Sequence, residues 1–341
     1  MPSVAIVILN WNGKKYLEQF LPSLIEHTGS DAVIIVADNA STDDSLSFLK
    51  TNLPSIRVIQ NETNGGFARG YNLALKQVEA DYYVLLNSDI EVTENWLKPV
   101  ISMMEEDEKI GACQPKIRSF HHRNSFEYAG AAGGYIDEYG YPFCRGRLFL
   151  TIEEDNGQYD DTVEISWASG ACMFVRSKLF HQLGGLDEDF FAHMEEIDFC
   201  WRLHNYGYRV MYCPGSTVYH IGGGTLPKAS WRKTYFNFRN NFMLLYKNLP
   251  SKYLFKVFAL RLILDTVAAM KFLFQAGFKN FWAVARAHMS FYKALPSLRK
   301  KRKKLKHGSM KMMYKRNIVF EYYLRGKKHF SQLDPEKFFP K

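Results

Sequence analysis

The stretch ADYYVLLNSDIEV, Ala80–Val92, is the strongest structural signal in the sequence. Its apolar run from Tyr82 to Leu86 predicts a strand buried on both faces, as strands in a parallel sheet are. The chain turns polar immediately afterwards, at Asn87-Ser88-Asp89. Open α/β sheets bind ligands beyond the carboxyl ends of their strands. The carboxylate of Asp89 is therefore placed to hold a divalent cation and, through that cation, a diphosphate. A simple strand-to-loop turn is the alternative, since turns favour these residues.

Strands and helices alternate at short spacing through the first 115 residues. Between the strands, apolar residues recur at helical spacing, as at Leu17, Leu21 and Leu24. This alternation is typical of a doubly wound, mostly parallel sheet, so the predicted fold class is α/β. The other predicted strands of this part are Val4–Leu9, Val33–Ala37, Arg57–Gln60 and Ile110–Cys113.

Three of the predicted strands end at an asparagine or an aspartate. These residues are Asn10, Asp38, and Asn87 with Asp89. The carboxyl ends of parallel strands meet at one edge of a sheet, so we expect a polar crevice along that edge.

The alternating pattern breaks after this part of the chain. Residues 116–165 are rich in glycine, tyrosine and charge, which predicts loops and short antiparallel strands. Further on, the sequence predicts a strand at Ser166–Val175, a helix at Glu195–Tyr206, short strands at Arg209–Tyr212 and Thr217–Ile221, and a long helical region at Leu254–Leu295.

Charge is distributed unevenly along the 341 residues, whose net charge is +9. From Lys228 to Lys341 there are 27 Lys and Arg but 4 Asp and Glu, while the rest of the chain has a net charge of −14. The run RKKRKKLK, Arg299–Lys306, is almost purely cationic. This asymmetry indicates a polyanionic partner, either a membrane surface or a nucleic acid.

The cysteines and apolar segments limit the possible classes of protein. The five cysteines include no C-x-x-C pair, so structural zinc and a disulfide framework are disfavoured and a reducing compartment is favoured. The run Val4–Leu9 is too short for a signal peptide, and no uncharged apolar stretch is long enough to span a bilayer. The first strand is followed by NWNG, which matches neither G-x-G-x-x-G nor a Walker loop.

Several segments together resemble family 2 glycosyltransferases, in the order in which that family has them. The resemblance covers roughly residues 4–224 and implies the type-A nucleotide-sugar-binding fold. Within the family, the sequence is most similar to the rhamnosyltransferase-like branch of bacterial polysaccharide biosynthesis. The segments of the resemblance are VILNWNG at 7–13, VADNASTDDS at 36–45, NGGFARGYNLAL at 64–75, LLNSDIEV at 85–92, SGACMFVRS at 169–177, DEDFFAHMEEIDFCWRL at 187–203 and VYHIGGGT at 218–225.

The resemblance implies a nucleotide site made by residues from several of these segments. Asp38 matches the acid that hydrogen-bonds the pyrimidine base, and Asn87 stands where the family usually has the first Asp of a D-x-D motif. The expected nucleotide-binding residues are Asn10, Asp38, Asn64, Gly66, Arg69 and Asn87.

The resemblance also implies a metal site and a catalytic base. Asp89 and His220 match the ligands of Mg²⁺ or Mn²⁺, and a carboxylate with an imidazole suits Mn²⁺ somewhat better. Glu195 and Glu196 match an acidic pair that precedes a further acid, Asp198, with Glu196 in the place of the base. Because Glu196 lies near a helix start, we expect the helix dipole to keep it ionised, which would also weaken it as a base.

Each of these residues also has a purely structural interpretation. Glu195 and Glu196 are also typical of the first turn of a solvated helix, and His220 of a buried, hydrogen-bonded histidine. Trp167 and Gly170 are candidates for the donor or acceptor pocket, although a core tryptophan is equally consistent with the sequence.

The predicted organisation is a catalytic domain at residues 1–227 and a basic helical membrane-associating region at 228–341. Within the first, the nucleotide-binding half is about 1–115 and the acceptor half about 116–227. The amphipathic, cationic C-terminal region predicts docking to an anionic membrane surface.

The predicted function is inverting transfer of a sugar from a nucleotide donor to a lipid-linked or polysaccharide acceptor. The expected donor is dTDP-L-rhamnose, with a UDP-sugar (GlcNAc, galactose or galactofuranose) as the alternative. We expect a cytoplasmic protein at the inner face of the cell membrane, with no nucleic-acid partner because no nucleic-acid module is present. A nucleic-acid-binding protein, a non-catalytic scaffold and a nucleotidylyltransferase are the rival classes.

Overall fold

The structure is a computed structural model that describes residues 2–222, 230–307 and 311–338. The expected domain boundary at 227/228 and the last residues of the VYHIGGGT segment lie outside the described residues.

The first part of the chain alternates strands and helices, as the sequence predicts. Its elements are β1 (Val4–Asn10), α1 (Lys14–Thr28), β2 (Val33–Asp38), α2 (Ser45–Asn52), β3 (Arg57–Gln60), α3 (Gly66–Leu75), β4 (Tyr82–Asn87), β5 (Ile90–Val92), α4 (Lys98–Glu106) and β6 (Ile110–Ser119). The three-residue strand β5 was not predicted from the sequence.

The second part begins with short strands and ends in long helices. Its elements are β7 (Gly134–Asp137), β8 (Pro142–Cys144), β9 (Arg147–Leu148), β10 (Thr151–Ile152), β11 (Val163–Glu164), β12 (Cys172–Arg176), α5 (Ser177–Gln182), α6 (Glu195–Asn205), β13 (Arg209–His220), α7 (Trp231–Asn248), α8 (Ser251–Gln275), α9 (Phe278–Lys304), β14 (Met313–Tyr314) and α10 (Ile318–Tyr323), with short 3₁₀ helices at Glu188–Phe190, Phe330–Gln332 and Pro335–Lys337.

Within the described residues the main sheet has nine strands in the order β11-β13-β6-β12-β4-β1-β2-β3, and β5 pairs with β13. Strands β3, β2, β1 and β4 are parallel, and β12 inserts antiparallel between β4 and β6. The predicted mostly parallel α/β sheet is therefore confirmed. The two short strands predicted between 209 and 221 are instead one strand, β13, with an irregularity between Cys213 and Thr217.

Both faces of the sheet are covered, which explains the continuous apolar runs of its strands. Alternate residues of β1 enter opposite hydrophobic clusters: Ile6 and Ile8 pack with α1 and α4, whereas Ala5 and Val7 pack with α3. The register places Asn10 beside Asp38, so the carboxyl ends of β1 and β2 coincide as predicted.

A second, smaller sheet has the order β10-β9-β8-β7-β14. Strands β7 to β10 are antiparallel, which confirms the prediction for residues 116–165, and β14 adds in parallel to β7. Residues from the C-terminal third, including Phe242, Leu245 and Phe291, enter the same hydrophobic cluster as Tyr71 and Phe180. The helices after residue 230 therefore pack on the rest of the chain rather than forming a separate core.

The cysteines and helices agree with the limits set by the sequence. All five cysteines lie within the described residues, and each is a buried free thiol. None of the helices in the described ranges combines the length and apolarity needed to cross a membrane.

Candidate functional site

The ends of β1 and β2 form a small polar cluster. The side-chain amide of Asn10 donates to Asp38 over 3.1 Å, and the backbone N–H of Ser41 donates to the other oxygen of Asp38 over 2.9 Å. Asn10 Oδ1 is buried and has no partner among the described residues. A Cβ at Gly13 would lie 2.4 Å from that oxygen, so glycine keeps the space beside it open. The cluster thus offers a free acceptor to a donor group on a ligand.

The loop at the start of α3 forms the next side of the crevice. Asn64 Oδ1 accepts hydrogen bonds from the backbone N–H of Gly66 and from the amide of Asn39, each over 2.9 Å. Gly66 has φ +80°, and a Cβ there would lie 2.3 Å from the carbonyl oxygen of Phe191. Arg69 lies exposed on the first turns of α3. The contribution of Asn39 was missed because an asparagine after a strand is an ordinary turn residue.

Asp89 and His220 are brought together by the pairing of β5 with β13. That pairing sets Ile90 opposite His220, and Asp89 Oδ1 lies 3.2 Å from His220 Nε2. On the other side of the ring, His220 Nδ1 lies 3.3 Å from an oxygen of Glu127. Asn87 Nδ2 lies 3.5 Å from the same Nε2 atom. Glu127 was missed because it falls in a loop region with no periodic pattern.

The three charged groups of this cluster change one another's pKa. Burial opposes a charge on His220, but the carboxylates of Glu127 and Asp89 outweigh it and raise the histidine pKa to about 10. Burial alone would raise the pKa of Asp89, yet the charge and hydrogen bond of His220 hold it below its usual range. Without a bound cation, the protonated imidazole of His220 therefore pairs with the carboxylates of Asp89 and Glu127 at neutral pH.

The geometry of Asp89 and His220 fits one divalent ion. Two ligand atoms at about 2.1 Å from an ion and at a right angle lie about 3 Å apart, close to the 3.2 Å observed between Oδ1 and Nε2. Within the described ranges no group of three or more His, Cys, Asp or Glu side chains forms a complete metal site. Asp89 and His220 could therefore contribute two ligands to such an ion, and the Glu127 carboxylate lies 3.3 Å from Nδ1 on the other side of the imidazole.

The acidic pair lies at the start of α6, after a loop with unusual backbone geometry. Phe191, His193 and Met194 all have φ between 65° and 77°, in the left-handed region. Each such residue costs about 1–3 kcal/mol and persists only when its surroundings hold it. The Oε2 atoms of Glu195 and Glu196 are both buried without hydrogen-bond partners among the described residues.

Burial governs the protonation of this pair. It raises the pKa of Glu196 to about 7, and it raises that of Glu195 well above its usual range, with the neighbouring carboxylate adding to the shift. The expectation that the helix dipole keeps Glu196 ionised is wrong, because the loss of hydration outweighs the backbone N–H groups at the helix start. A carboxylate that titrates near neutral pH is well suited to accept a proton.

The strained loop is held by helix α7. The amide nitrogen of Asn240, which is fully buried, lies 2.9, 2.8 and 2.7 Å from the carbonyl oxygens of Phe190, Ala192 and His193. The guanidinium of Arg239 adds bonds of 3.0 and 2.9 Å to the carbonyls of Asp189 and Phe190. The sequence did not indicate this role, since an asparagine inside a helix carries no distinctive signal.

Asp198 is occupied by contacts away from the crevice. It is fully buried, one oxygen accepts from Arg202 Nε over 2.9 Å, and the other lies 2.9 Å from Lys247 Nζ and 2.8 Å from Asn248 Nδ2. Lys247 also pairs with Asp187. These contacts use the carboxylate to fix α6 against α7.

Of the two pocket candidates, Gly170 lies at the acidic pair and Trp167 does not. A Cβ at Gly170 would lie 3.0 Å from the ring of Phe67 and 3.8 Å from Cβ of Glu196. The indole of Trp167 is buried, donates to the carbonyl of Tyr135 over 2.9 Å and packs against Gly134. The structure therefore places Trp167 in the core.

Short contacts connect the two halves of the site. The backbone N–H of Asn87 donates to the carbonyl of Ala171 over 2.9 Å, next to Gly170, and that of Phe67 donates to the carbonyl of Phe191 over 2.7 Å. The end of β4 and the starts of α3 and α6 therefore converge. This convergence joins the polar strand ends to the Glu195–Glu196 pair.

Comparison with known proteins agrees with this architecture. A model of glycosyl transferase family 2 matches residues 3–184. The chain is 25% identical over 233 residues to the N-acetylglucosaminyl-diphospho-decaprenol L-rhamnosyltransferase of Mycobacterium tuberculosis, covering 63% of this chain and 75% of that protein. It is 27% identical over 219 residues to the rhamnosyltransferase WbbL of Escherichia coli, covering 60% and 79% respectively.

A solved structure shows the same fold. GalNAc-T7 in complex with UDP, GalNAc and Mn²⁺ matches with a TM-score of 0.57 at 16% identity, over 74% of this chain and 49% of that chain. The type-A glycosyltransferase fold implied by the sequence resemblance is thereby confirmed.

Replacing Asn240 tests the hold of α7 on the strained loop. We expect Asn240→Ala to lower the free energy of unfolding by about 1–3 kcal/mol, because buried carbonyls lose their donor. Hydrogen exchange of the amides at 190–194 should rise in the same variant. Chemical denaturation and exchange measurements check both effects, with Asn237→Ala, a half-buried residue of the same helix, as the control. Equal stability and exchange in both variants would contradict this role.

Proposed function

Because this chain belongs to glycosyl transferase family 2, we propose that it transfers L-rhamnose from dTDP-L-rhamnose, with inversion, to a hydroxyl of a lipid-linked or polysaccharide acceptor. One observation supports the proposal: a hydrogen bond from the Asn87 N–H to the Ala171 carbonyl links the strand end that bears the Asp89–His220 pair to Gly170, which lies beside the Glu195–Glu196 pair. The first pair suits a nucleoside diphosphate with its cation, and the second suits removal of a proton from the acceptor.

The choice of donor is supported by the relatives. Both curated proteins described above are rhamnosyltransferases by name. The free Oδ1 of Asn10, beside Asp38, can accept the ring N–H that thymine and uracil share. A UDP-sugar donor (GlcNAc, galactose or galactofuranose) is the second candidate, and the UDP complex of a protein with the same fold favours it. The base contacts do not distinguish the two, so the donor preference depends on the sugar pocket.

Glu196 acts as the base in this proposal. It removes the proton of the acceptor hydroxyl while the oxygen attacks the anomeric carbon and the bond to the diphosphate breaks. Glu195 lies beside it, and burial together with the neighbouring carboxylate raises its pKa well above the usual range, so Glu196 is the first of the pair to lose its proton. The lack of a side chain at Gly170 lets the ring of Phe67 pack closely beside Glu196. Asp198 acts only by positioning α6, through Arg202 and Lys247.

Asp89 and His220 would hold Mg²⁺ or Mn²⁺ in this proposal, with Glu127 orienting the imidazole. When bound, the ion supplies positive charge for the departing diphosphate. An imidazole ligand beside a carboxylate favours Mn²⁺ somewhat. Asn64, Gly66 and Arg69 line the nucleotide, and the short side chain of Asn87 faces the same region as His220 Nε2.

We also propose that the enzyme works in cell-surface glycan biosynthesis at the cytoplasmic face of the cell membrane, to which it binds peripherally. The Mycobacterium tuberculosis relative is named for an acceptor carried on decaprenol. The basic residues of the C-terminal third provide charge that attracts an anionic membrane surface.

A turnover assay tests the proposed transfer. The assay measures nucleotide release from dTDP-L-rhamnose and from UDP-GlcNAc with Mn²⁺, using a lipid-linked N-acetylglucosamine as acceptor. We expect Glu196→Gln to lower kcat by about 10²–10⁴-fold, because the base is lost. Glu26→Gln, an exposed acid near the C-terminal end of α1, serves as the control. Full activity of Glu196→Gln would contradict the assignment of the base.

The metal assignment has its own test in Asp89→Ala. This variant should lose metal-dependent turnover while keeping its fold, because Asp89 contributes one of two protein ligands and no core packing. Wild-type activity should disappear with a chelator and return with Mn²⁺ or Mg²⁺. A fully active Asp89→Ala protein with an unchanged circular dichroism spectrum would show that the ion is not bound there.

The pH dependence follows from the raised pKa of Glu196. The base form exists above a pKa of about 7, so kcat/KM should rise with pH through neutrality and fall towards tenfold per unit below it. Glu195→Gln replaces a carboxyl group that is still protonated in this pH range, so it should leave the pH dependence of kcat/KM almost unchanged. Steady-state rates between pH 5 and 9 check both statements. A flat profile for the wild-type protein would count against Glu196 as the titrating base.

A further inference from the structure

Helix α8 exposes an apolar face along its whole length. The exposed fractions are 87% for Phe255, 62% for Ile263, 62% for Val267 and 81% for Phe274. These positions repeat at helical spacing, so they share one side of the helix. The buried residues of α8, which lie on the opposite side, are Val257, Arg261, Asp265 and Ala269. The packed side of the helix therefore includes a buried ion pair, Arg261 with Asp265, while large apolar side chains lie on the exposed side.

The exposed face continues onto neighbouring elements. Phe278, at the start of α9, stacks parallel to Trp282, and both are exposed. Lys271 lies 4.8 Å from the ring of Tyr323 in α10, next to the strongly exposed Leu324. We define the α8 face as the set of exposed apolar residues Phe255, Leu262, Ile263, Val267, Met270, Phe274, Phe278 and Trp282. A continuous apolar surface of this kind marks an interaction site rather than scattered exposure.

The charges around the α8 face are all positive. Lys252, Lys256, Lys271 and Lys279 are exposed beside it. Asp265 is the single acidic residue in the sequences of α7, α8 and α9, and it is buried against Arg261 and His288. The surface thus combines large apolar side chains with lysines and has no exposed acid on these three helices.

We propose that the α8 face inserts into the interfacial layer of an anionic lipid bilayer, with α8 lying parallel to the membrane plane. Aromatic and branched side chains enter the boundary between headgroups and acyl chains, while the lysines contact lipid phosphates. The helix is about 37 Å long at 1.5 Å per residue, and it does not meet the requirements for a membrane span.

A bilayer fits this face better than the other possible occupants. A second copy of the chain in an isologous contact would bring the lysines of one α8 face against the lysines of the other, with no exposed acid on these helices to pair with them. A nucleic acid would use the lysines but leave the apolar rings of Phe255 and Phe274 exposed to water. The inference rests on the proposed function in one respect: an acceptor on a lipid carrier would keep the enzyme at a membrane. Binding of the α8 face to a bilayer does not itself require catalytic activity.

Vesicle binding tests the α8 face directly. The triple variant Ile263→Asn/Val267→Asn/Phe274→Ser should bind vesicles of phosphatidylglycerol and phosphatidylcholine at least about tenfold more weakly than the wild-type protein. The wild-type protein should bind pure phosphatidylcholine vesicles weakly, and salt should reduce binding to the anionic ones. Val33→Ser is the matched control, because Val33 is 59% exposed on the distant strand β2. Equal vesicle binding by the triple variant and the wild-type protein would overturn the proposal.

A site-specific label distinguishes insertion from surface attraction. All native cysteines are buried, so Ile263→Cys can be labelled selectively with an environment-sensitive fluorophore. We expect a blue shift with anionic vesicles at this position and none at a labelled Val33→Cys. No shift at position 263, or a dimer in analytical ultracentrifugation that the triple variant converts to a monomer, would overturn the insertion.

The outcome for catalysis is measured separately. Because the α8 face lies outside the site, the triple variant should release dTDP from dTDP-L-rhamnose at the wild-type rate when the lipid-linked acceptor is supplied in detergent. Vesicle binding by a wild-type protein that transfers no sugar to this acceptor would support the α8 face and contradict the proposed function. Normal donor turnover without vesicle binding would support the proposed function and contradict the membrane contact of the α8 face.

Discussion

Burial of the central strands on both faces is the constraint on which the rest of the structure depends. Strands β1, β2 and β4 bury nearly all of their apolar side chains, apart from the exposed Val33 at the start of β2 and the half-buried Leu9, and their polar residues lie at the carboxyl ends. Parallel pairing then aligns those ends, with Asn10 beside Asp38 and Leu9 beside Asn87. The crevice is thus a consequence of the sheet: polar groups collect where the apolar strands stop and water or a ligand can reach them.

The fold was largely predictable because its signals are local and periodic. Apolar runs and helical spacing identified the strands and helices of the first 115 residues. The family motifs predicted one site for Asp89, His220 and Glu196, and the structure brings Asp89 and His220 together. Three-dimensional contacts between distant segments were not predictable. Glu127 contacts His220 across more than ninety residues of sequence, and Asn240 bonds to carbonyls about fifty residues away. The protonation of Glu196 was mispredicted because a sequence reveals a helix start but not the dehydration of the carboxylate.

The C-terminal helices connect the acidic pair with the α8 face. Helix α7 holds the strained loop through Asn240 and fixes α6 through Lys247 and Asp198, while α9 adds Lys301 to Asp187 over 2.5 Å. Helices α7 and α9 also pack against α8, the helix with the exposed apolar side. The same helical layer that orients the proposed base therefore carries the proposed membrane contact, which would fix the direction from which a lipid-linked acceptor approaches.

The central claim is that the crevice binds a nucleoside diphosphate together with a divalent cation. Thermal unfolding of the wild-type protein with dTDP, UDP and GDP, each with and without Mn²⁺, tests it most directly, because a ligand that binds only the native state raises its apparent stability. We predict a rise in Tm that requires both Mn²⁺ and a pyrimidine nucleotide. Unchanged melting with every nucleotide, in a sample with native circular dichroism, would contradict the claim.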